Sequence, residues 1–154
     1  MVAAAAALVE KSARLSTRQW PEAAVALERA NALRLESFEL IEEDAQAYLA
    51  FVDAVRSRED TETARARTID VPLRMIRAAA NVVGLAVQLA NHGNANLRAD
   101  AVVGATLAAA AADGGLTLIE VNVGQGVDDA RLDEARTLAR QAGEGARSVR
   151  PRDS

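Results

Sequence analysis

The chain has 154 residues, half of them hydrophobic but only 3% aromatic, and a formal net charge of -4. This length fits one domain with a sizeable core, and the many alanines favour close-packed helices over strands. The acidic balance disfavours nucleic acid as a partner, because phosphate binding requires a basic surface. With no cysteine and one histidine, the chain has no disulfide, zinc–thiolate site, thiol nucleophile or His-pair metal motif.

The N-terminal stretch MVAAAAALVEKSARLS has no basic leader, so it does not resemble a signal peptide. No segment reaches the roughly 18 to 20 uninterrupted apolar residues of a membrane span. We therefore expect a cytoplasmic protein that binds no membrane.

The first predicted helix runs from Val2 to about Ser16 and begins without a capping residue. The second runs from about Pro21 to Arg56, with the proline at a first-turn position. Apolar residues recur along it every three or four positions. This spacing predicts a core stripe of Leu27, Ala30, Leu33, Ser37, Ile41, Asp44, Tyr48, Val52 and Val55.

The polar segment 57–68 predicts a loop or a solvated helical start. A third helix is expected from about Asp70, which can cap it, to Asn91, with Pro72 near its start and Gly93 after its end. Its apolar face would comprise Leu73, Ile76, Ala80, Val83, Val87 and Ala90.

The fourth helix is predicted from about Leu97 to Asp113, closed by Gly114 and Gly115. The stretch LTLIEVNV (116–123) alternates with β-branched residues, which favours extended or irregular chain packed on the bundle. The GQG at 124–126 is too short for a phosphate loop.

A last helix is expected over about 128–147, followed by a frayed tail (about 148–154). The sequence thus predicts a single domain over residues 1–154, an all-α antiparallel bundle of about five helices.

Asp44 is the first candidate for chemistry. Leu40, Ile41, Ala47 and Tyr48 stand three or four residues away and flank it on one helix face, whereas Glu42 and Glu43 point elsewhere. An unpartnered buried carboxylate is costly, so Asp44 either bonds to a neighbouring helix or serves in a cleft.

Asp100 also falls on an apolar stripe, but a first-turn aspartate is equally explained by the helix dipole. The third helix carries a polar strip of Arg74, Arg77, Asn81, Gly84 and Gln88. This strip is either a solvated face or a surface where Gly84 admits a flat ligand while the arginines hold an anion.

Three blocks of the sequence resemble the cyclodeaminase/cyclohydrolase family, meaning the C-terminal half of formiminotransferase-cyclodeaminase and the stand-alone methenyltetrahydrofolate cyclohydrolases. LIEEDAQAY is similar to the family pattern D-x-x-A-[FY], and VPLRM to its V-P-L helix opening. GNANLRADAVVGA is similar to G-N-x-x-x-x-S-D-x-x-V-A-A, with Ala99 where a serine is usual. Further on, IEVNV resembles V-x-I-N-L, with Leu118 at the position of an earlier family asparagine.

The resemblance implies an all-α homodimer that binds a tetrahydrofolate derivative as substrate and needs no metal or other cofactor. The reaction would be hydrolysis of methenyltetrahydrofolate to formyltetrahydrofolate, or cyclodeamination of formiminotetrahydrofolate. On the matched positions, Asp44 would be catalytic. The positions implied to bind substrate are Tyr48, Gly93, Asn94, Asp100 and Asn122.

The family opens with a P-G-G-G-S motif that leads into an alanine-rich helix, and by this resemblance the present sequence would begin inside that helix. One alternative is therefore a truncated or catalytically impaired member that acts as a structural or oligomeric subunit. Another is a helical interaction module unrelated to folate.

Overall fold

The computed structural model describes residues 1–124 and 128–150. Within these ranges the chain forms five α-helices, one 3-10 turn and no strand. They are α1 (Val2–Arg14), α2 (Ala23–Ser57), α3 (Glu62–His92), the 3-10 turn (Ala95–Leu97), α4 (Arg98–Val123) and α5 (Ala130–Ser148). The prediction of an all-α fold is confirmed.

Successive helices run antiparallel and are joined by short connections. Glu10 near the end of α1 pairs with Arg34 in the first half of α2. Arg65 in the first turn of α3 donates to the carbonyls of Asn122 and Val123 at the end of α4. The central helix is α3, which packs against the other four, whereas α2 packs mainly on α1 and α3, and α5 mainly on α3 and α4.

Small residues let these helices approach closely. Alanines fill much of the core of α1, α3 and α4. A Cβ added at Gly104 of α4 would lie 3.0 Å from Val9 Cγ2 and 3.3 Å from the Ala5 carbonyl oxygen. The contact between α1 and α4 therefore depends on the missing side chain at this position.

The predicted core stripe of α2 is wrong in its second half. Ile41, Tyr48 and Val55 are exposed. Ala30 and Ser37 of the predicted stripe are buried, and the other buried residues of α2 lie outside it: Ala23, Ala26, Leu40 and Ala47. The reason is the short length of α1, whose first residues lie beside Leu40 and Ile41, so that no described element covers the outer side of α2 beyond that point.

Helix α3 begins eight residues earlier than predicted. Its first residue is Glu62, whose backbone N–H donates to the Asp60 carboxylate at 2.9 Å. Asp70 is not a cap but an exposed residue inside the helix, and Pro72 is also interior. Most of the predicted apolar face is confirmed, since Leu73, Ile76, Val83 and Ala90 are buried.

Helix α4 continues through the segment predicted to be extended. Ile119 and Val123 are buried in the main core, and this burial outweighs the β-propensity of the segment. Gly114 and Gly115 do not end the helix. A Cβ at Gly115 would lie 2.7 Å from Ile76 Cγ1, whereas one at Gly114 would meet nothing within 4 Å.

Helix α5 agrees with its prediction within two residues at its start. Val149, in the segment expected to fray, is buried, and its carbonyl accepts a hydrogen bond from Arg98. Residues 151–154, and Gln125 and Gly126 of the GQG segment, lie outside the described residues. By length and composition alone α3 and α4 could each cross a membrane, but they pack here as core helices of the bundle.

Candidate functional site

Asp44 lies in the middle of α2 with its side chain half-buried. Leu40 and Ala47, about one turn to either side, are buried in a small cluster with Val71 of α3, and Met75 packs against it. Asp44 therefore stands at the edge of the apolar contact between α2 and α3.

The carboxylate of Asp44 has no hydrogen bond or ion pair within the described part of the chain. The ion pair in this turn belongs to its neighbour Glu43, which binds Arg74 of α3. Among the described residues, then, the Asp44 carboxylate makes no polar contact that a ligand would have to displace.

A small hollow lies about one turn from Asp44, where the start of α1 meets α2. It measures about 60 Å³ and is lined by Met1, Val2, Ala3, Ser37, Leu40, Ile41 and Met75. Ligand pockets are roughly 300 to 1,000 Å³. This hollow is therefore too small for a drug-sized ligand, and Tyr48, on the turn after Asp44, is exposed.

Gly93 and Asn94, in the connection between α3 and α4, contact the connection between α1 and α2 at one end of the bundle. A Cβ at Gly93 would lie 2.8 Å from Ser16 Oγ, so this close approach requires glycine. The Asn94 backbone N–H donates to the same hydroxyl at 2.9 Å, and its side-chain amide donates to the Leu15 carbonyl at 3.3 Å. Its side-chain oxygen accepts from the Asn96 backbone N–H and thereby caps the 3-10 turn.

Asp100 stands in the first turn of α4, as expected from the helix dipole, and pairs with Lys11 of α1 at 2.7 Å. The contacts of Gly93, Asn94 and Asp100 thus fasten the α3–α4 connection to the end of α1. Within one chain they bind protein groups.

Asn122 supplies a hydrogen bond that α3 lacks at Pro72. Pro72 has no N–H, so the Thr68 carbonyl four residues earlier lacks its helical partner. The Asn122 side-chain amide donates to this carbonyl at 2.6 Å. The VPLRM and IEVNV blocks are therefore in contact in the folded chain.

The predicted site residues consequently lie in three places. Asp44 and Tyr48 share a face of α2, the Gly93–Asp100 group lies at the end of the bundle near Ser16, and Asn122 lies at the end of α4. Lys11, the partner of Asp100, is about 15 Å along α1 from Met1 at the helical rise of 1.5 Å per residue. Asp44 lies about one turn beyond the level of Met1, so one chain does not bring Asp44 and Asp100 together.

The polar strip of α3 divides between two surfaces. Arg77 binds Glu134 of α5 through two hydrogen bonds of 2.7 and 2.8 Å, and Arg74 is held by Glu43. The other strip residues line an open groove of about 500 Å³ between α2 and α3, with Arg29, Ala32, Leu33, Ala80, Asn81, Gly84, Leu85 and Gln88 along it. Sequence reasoning missed Arg29, because spacing along α3 carries no information about which α2 residue faces it.

Ion pairs with two arginines shift the pKa values of two carboxylates in or beside α5. Arg77 of α3 reaches across to Glu134, whereas Arg131 pairs with Asp129 only two residues before it in the chain. Hydrogen bonding to Arg131 lowers the pKa of Asp129, and hydrogen bonding to Arg77 lowers the pKa of Glu134. Arg131 also reaches Asp70 of α3 at 2.9 Å, and these two carboxylates raise its own pKa. No group of three or more His, Cys, Asp or Glu side chains suited to a metal ion occurs in residues 1–124 or 128–150.

Comparison with known proteins gives the family. The sequence profile described as formiminotransferase-cyclodeaminase matches residues 1–141. The chain belongs to the formiminotransferase-cyclodeaminase family.

A solved structure supports this membership. The crystal structure of formiminotetrahydrofolate cyclodeaminase from Thermotoga maritima superimposes with a TM-score of 0.88 and 25% sequence identity, covering 96% of this chain and 81% of that chain. No curated protein sequence matches. The family resemblance predicted from the three sequence blocks is thus confirmed.

Proposed function

We propose that this cyclodeaminase-family protein acts in folate one-carbon metabolism, either by cyclodeaminating formiminotetrahydrofolate or by hydrolysing methenyltetrahydrofolate. The observation that carries the proposal is Asp44, a half-buried carboxylate without a protein partner among the described residues, at the aspartate of the motif D-x-x-A-Y. The name of the solved Thermotoga relative favours cyclodeamination as the first reaction to test.

One carboxyl group can serve either reaction. In the deaminase direction, its acid form protonates the departing nitrogen while the second folate nitrogen closes the ring, releasing ammonia and leaving the methenyl compound. In the hydrolase direction, its ionised form takes a proton from the water that attacks the cationic methenyl carbon, and the ring opens to the formyl compound. The negative charge also stabilises the cationic carbon. No cofactor is needed for either step.

We propose supporting roles for the other matched residues. Tyr48 stands one turn from Asp44 and is free to contact the substrate. Gly93, Asn94, Asp100 and Asn122 would act through the helix connections they hold in place. The working form would be a cytoplasmic homodimer.

The test measures both reactions with purified protein, following formation of the methenyl compound and ammonia from formiminotetrahydrofolate, and loss of the methenyl compound in water. General acid–base catalysis contributes about 10² to 10⁴ in rate, so Asp44→Asn should lower kcat by at least about 10²-fold. Asp53→Asn, an exposed acid on the same helix, is the matched control and should leave kcat unchanged.

Unchanged turnover in Asp44→Asn would reject Asp44 as the catalytic residue. A wild-type protein that turns over neither substrate would reject the enzymatic proposal and support the alternative of a structural or oligomeric subunit.

A further inference from the structure

The groove between α2 and α3 takes no part in the proposed folate chemistry. It measures about 500 Å³, which lies within the range of roughly 300 to 1,000 Å³ for ligand pockets. Its α2 wall includes Leu33, eleven residues before Asp44. At the helical rise of 1.5 Å per residue the two positions are about 16 Å apart. This α2–α3 groove is therefore separate from the candidate catalytic residue.

Small side chains give the α2–α3 groove a flat lining. They are Ala32 of α2 and Ala80 and Gly84 of α3. A Cβ added at Gly84 would meet nothing within 4 Å, whereas one at Gly104 or Gly115 would contact a neighbouring helix. Packing within the chain therefore does not require glycine at position 84, although glycine destabilises a helix interior relative to alanine. The missing side chain instead leaves room for a planar ring in the groove.

One positive charge borders this flat lining. Arg29 is exposed, and it is the only charged residue among the described residues that line the groove. In the described part of the chain it has no ion pair, whereas Arg34 of the same helix binds Glu10. The Arg29 guanidinium is therefore open to a carboxylate, which it can bind through two parallel N–H donors.

Two side-chain amides add hydrogen-bonding capacity. Asn81 and Gln88 line the groove from α3, and both are exposed. They stand two helical turns apart, about 10 Å, and within the described residues neither side chain has a hydrogen-bond partner. Each amide can donate and accept. They therefore suit the polar edge of a heterocycle about as long as two fused rings.

We propose that the α2–α3 groove binds a small planar heteroaromatic carboxylate. Its ring lies on Gly84 and the neighbouring alanines, and its carboxylate pairs with Arg29. A ring nitrogen or ring carbonyl bonds to Asn81 or Gln88. A phosphate group is a poorer match, because its several acceptor oxygens need more charged donors than one arginine supplies. None of these residues belongs to the proposed catalytic site.

Amide NMR of the isotope-labelled full chain tests binding and its location, with quinaldate, a bicyclic heteroaromatic carboxylate, as the probe. Quinaldate should shift the Gly84 backbone signal and the side-chain amide signals of Asn81 and Gln88 in a saturable manner. The backbone signals around Asp44 should stay in place. If no signal shifts saturably up to millimolar quinaldate, or if the shifts are confined to the turn around Asp44, the proposal is wrong.

Two further probes separate the contributions of the charge and the ring. Quinaldamide has the same rings without the negative charge, and acetate has the charge without the rings. Each should bind at least about tenfold more weakly than quinaldate, because the hydrogen bonds of a charged group and the burial of a ring each contribute that much. Equal affinity for quinaldate and either of these probes would contradict the proposed binding mode.

Matched variants test the two features of the groove. Arg29→Gln should weaken quinaldate binding about tenfold. Arg67→Gln, at an exposed arginine of α3 that has no ion pair within the described residues, should leave it unchanged. Gly84→Leu should abolish binding because its side chain fills the groove. Gly114→Leu, at a glycine of α4 whose added Cβ also meets nothing within 4 Å, should bind normally.

Helical circular dichroism checks that each variant is folded. Wild-type affinity in either folded Arg29→Gln or folded Gly84→Leu would overturn the proposed binding mode. Asp44→Asn should bind quinaldate as wild type does, and loss of binding in this variant would show that the probe occupies the catalytic site instead. A wild type that is inactive on both folates but binds quinaldate at Gly84 would reject the proposed function and support the groove as a binding site.

Discussion

Asn122 shows how one side chain can repair a defect that another creates. Pro72 lies inside α3, and its missing N–H leaves the Thr68 carbonyl without a helical donor. Asn122 donates to that carbonyl from α4 at 2.6 Å. The resemblance implied that Asn122 binds substrate, and within one chain its amide binds backbone. This partner could not be read from the sequence, because it is defined by a helix contact 54 residues away.

Removing the Asn122 amide should therefore matter only while Pro72 is present. Asn122→Ala should lower the free energy of unfolding by about 1 to 3 kcal/mol, because it leaves the part-buried Thr68 carbonyl without a donor. In a Pro72→Ala background, residue 72 regains an N–H that bonds to Thr68, so the same change should cost clearly less. Urea unfolding of the four proteins measures this coupling. If Asn122→Ala lowered the free energy of unfolding equally with Pro72 present and in the Pro72→Ala background, Asn122 would not be replacing the missing Pro72 donor.

At the scale of helices, the sequence predicted how many long helices there are but misplaced several of their ends. Periodicity located α1, α5 and the apolar face of α3. It failed at Gly114 and Gly115, which look like a helix stop, and at LTLIEVNV, which looks like a strand. Both errors have one physical cause. The contact with α3 decides the conformation there, since Gly115 admits Ile76 and Ile119 fills the core.

The two adjacent glycines should respond in opposite ways to the same substitution. Gly114→Ala meets no atom within 4 Å, so it should stabilise the protein by about 0.5 to 1 kcal/mol through its effect on helix propensity. Gly115→Ala places a methyl group 2.7 Å from buried Ile76 and should destabilise by about 1 to 3 kcal/mol through overpacking. Thermal unfolding of both variants checks the signs, and a rise in Tm for Gly115→Ala would show that α3 yields at this contact.

For the molecule as a whole, the sequence predicted the fold class and family better than the arrangement of the site. Asp44 and Asp100 were expected to contribute to one site, yet one chain holds them at different levels of the bundle. Helical spacing reports which face a residue occupies, but not how far apart two faces lie once α1 and α4 are packed. The exposed half of α2 also escaped prediction, because an apolar stripe looks the same whether its own chain or another covers it.

The stability of the bundle should depend on pH through two carboxylates of the α5 region. Glu134 holds α5 to Arg77 of α3, and Asp129 caps α5 and pairs with Arg131. The folded-state pKa values of Asp129 and Glu134 are lowered by Arg131 and Arg77. The stability they contribute is therefore present above the unfolded carboxyl pKa of about 4 and is lost as pH falls through the folded values. The double variant Asp129→Asn/Glu134→Gln should be less stable than wild type at neutral pH. The difference in free energy of unfolding between the two should disappear at acid pH.

Urea midpoints measured from neutral to acid pH test this dependence. Asp113→Asn changes an exposed acid that has no ion pair within the described residues, and its curve should run parallel to that of wild type. A constant gap between wild type and the double variant at every pH would show that these carboxylates do not carry the acid response.

The hydrogen bond between Asn122 and Thr68 also bears on the order in which the helices form. In the first turns of α3 the Thr68 carbonyl cannot find its donor locally, since Pro72 has no N–H and the replacement donor lies at the far end of α4. We therefore expect the α3–α4 hairpin to form from its connection at Gly93 outward, with residues Glu62–Thr68 becoming fully helical last. Native-state hydrogen exchange should accordingly find amides in this segment opening before those of the central turns of α3.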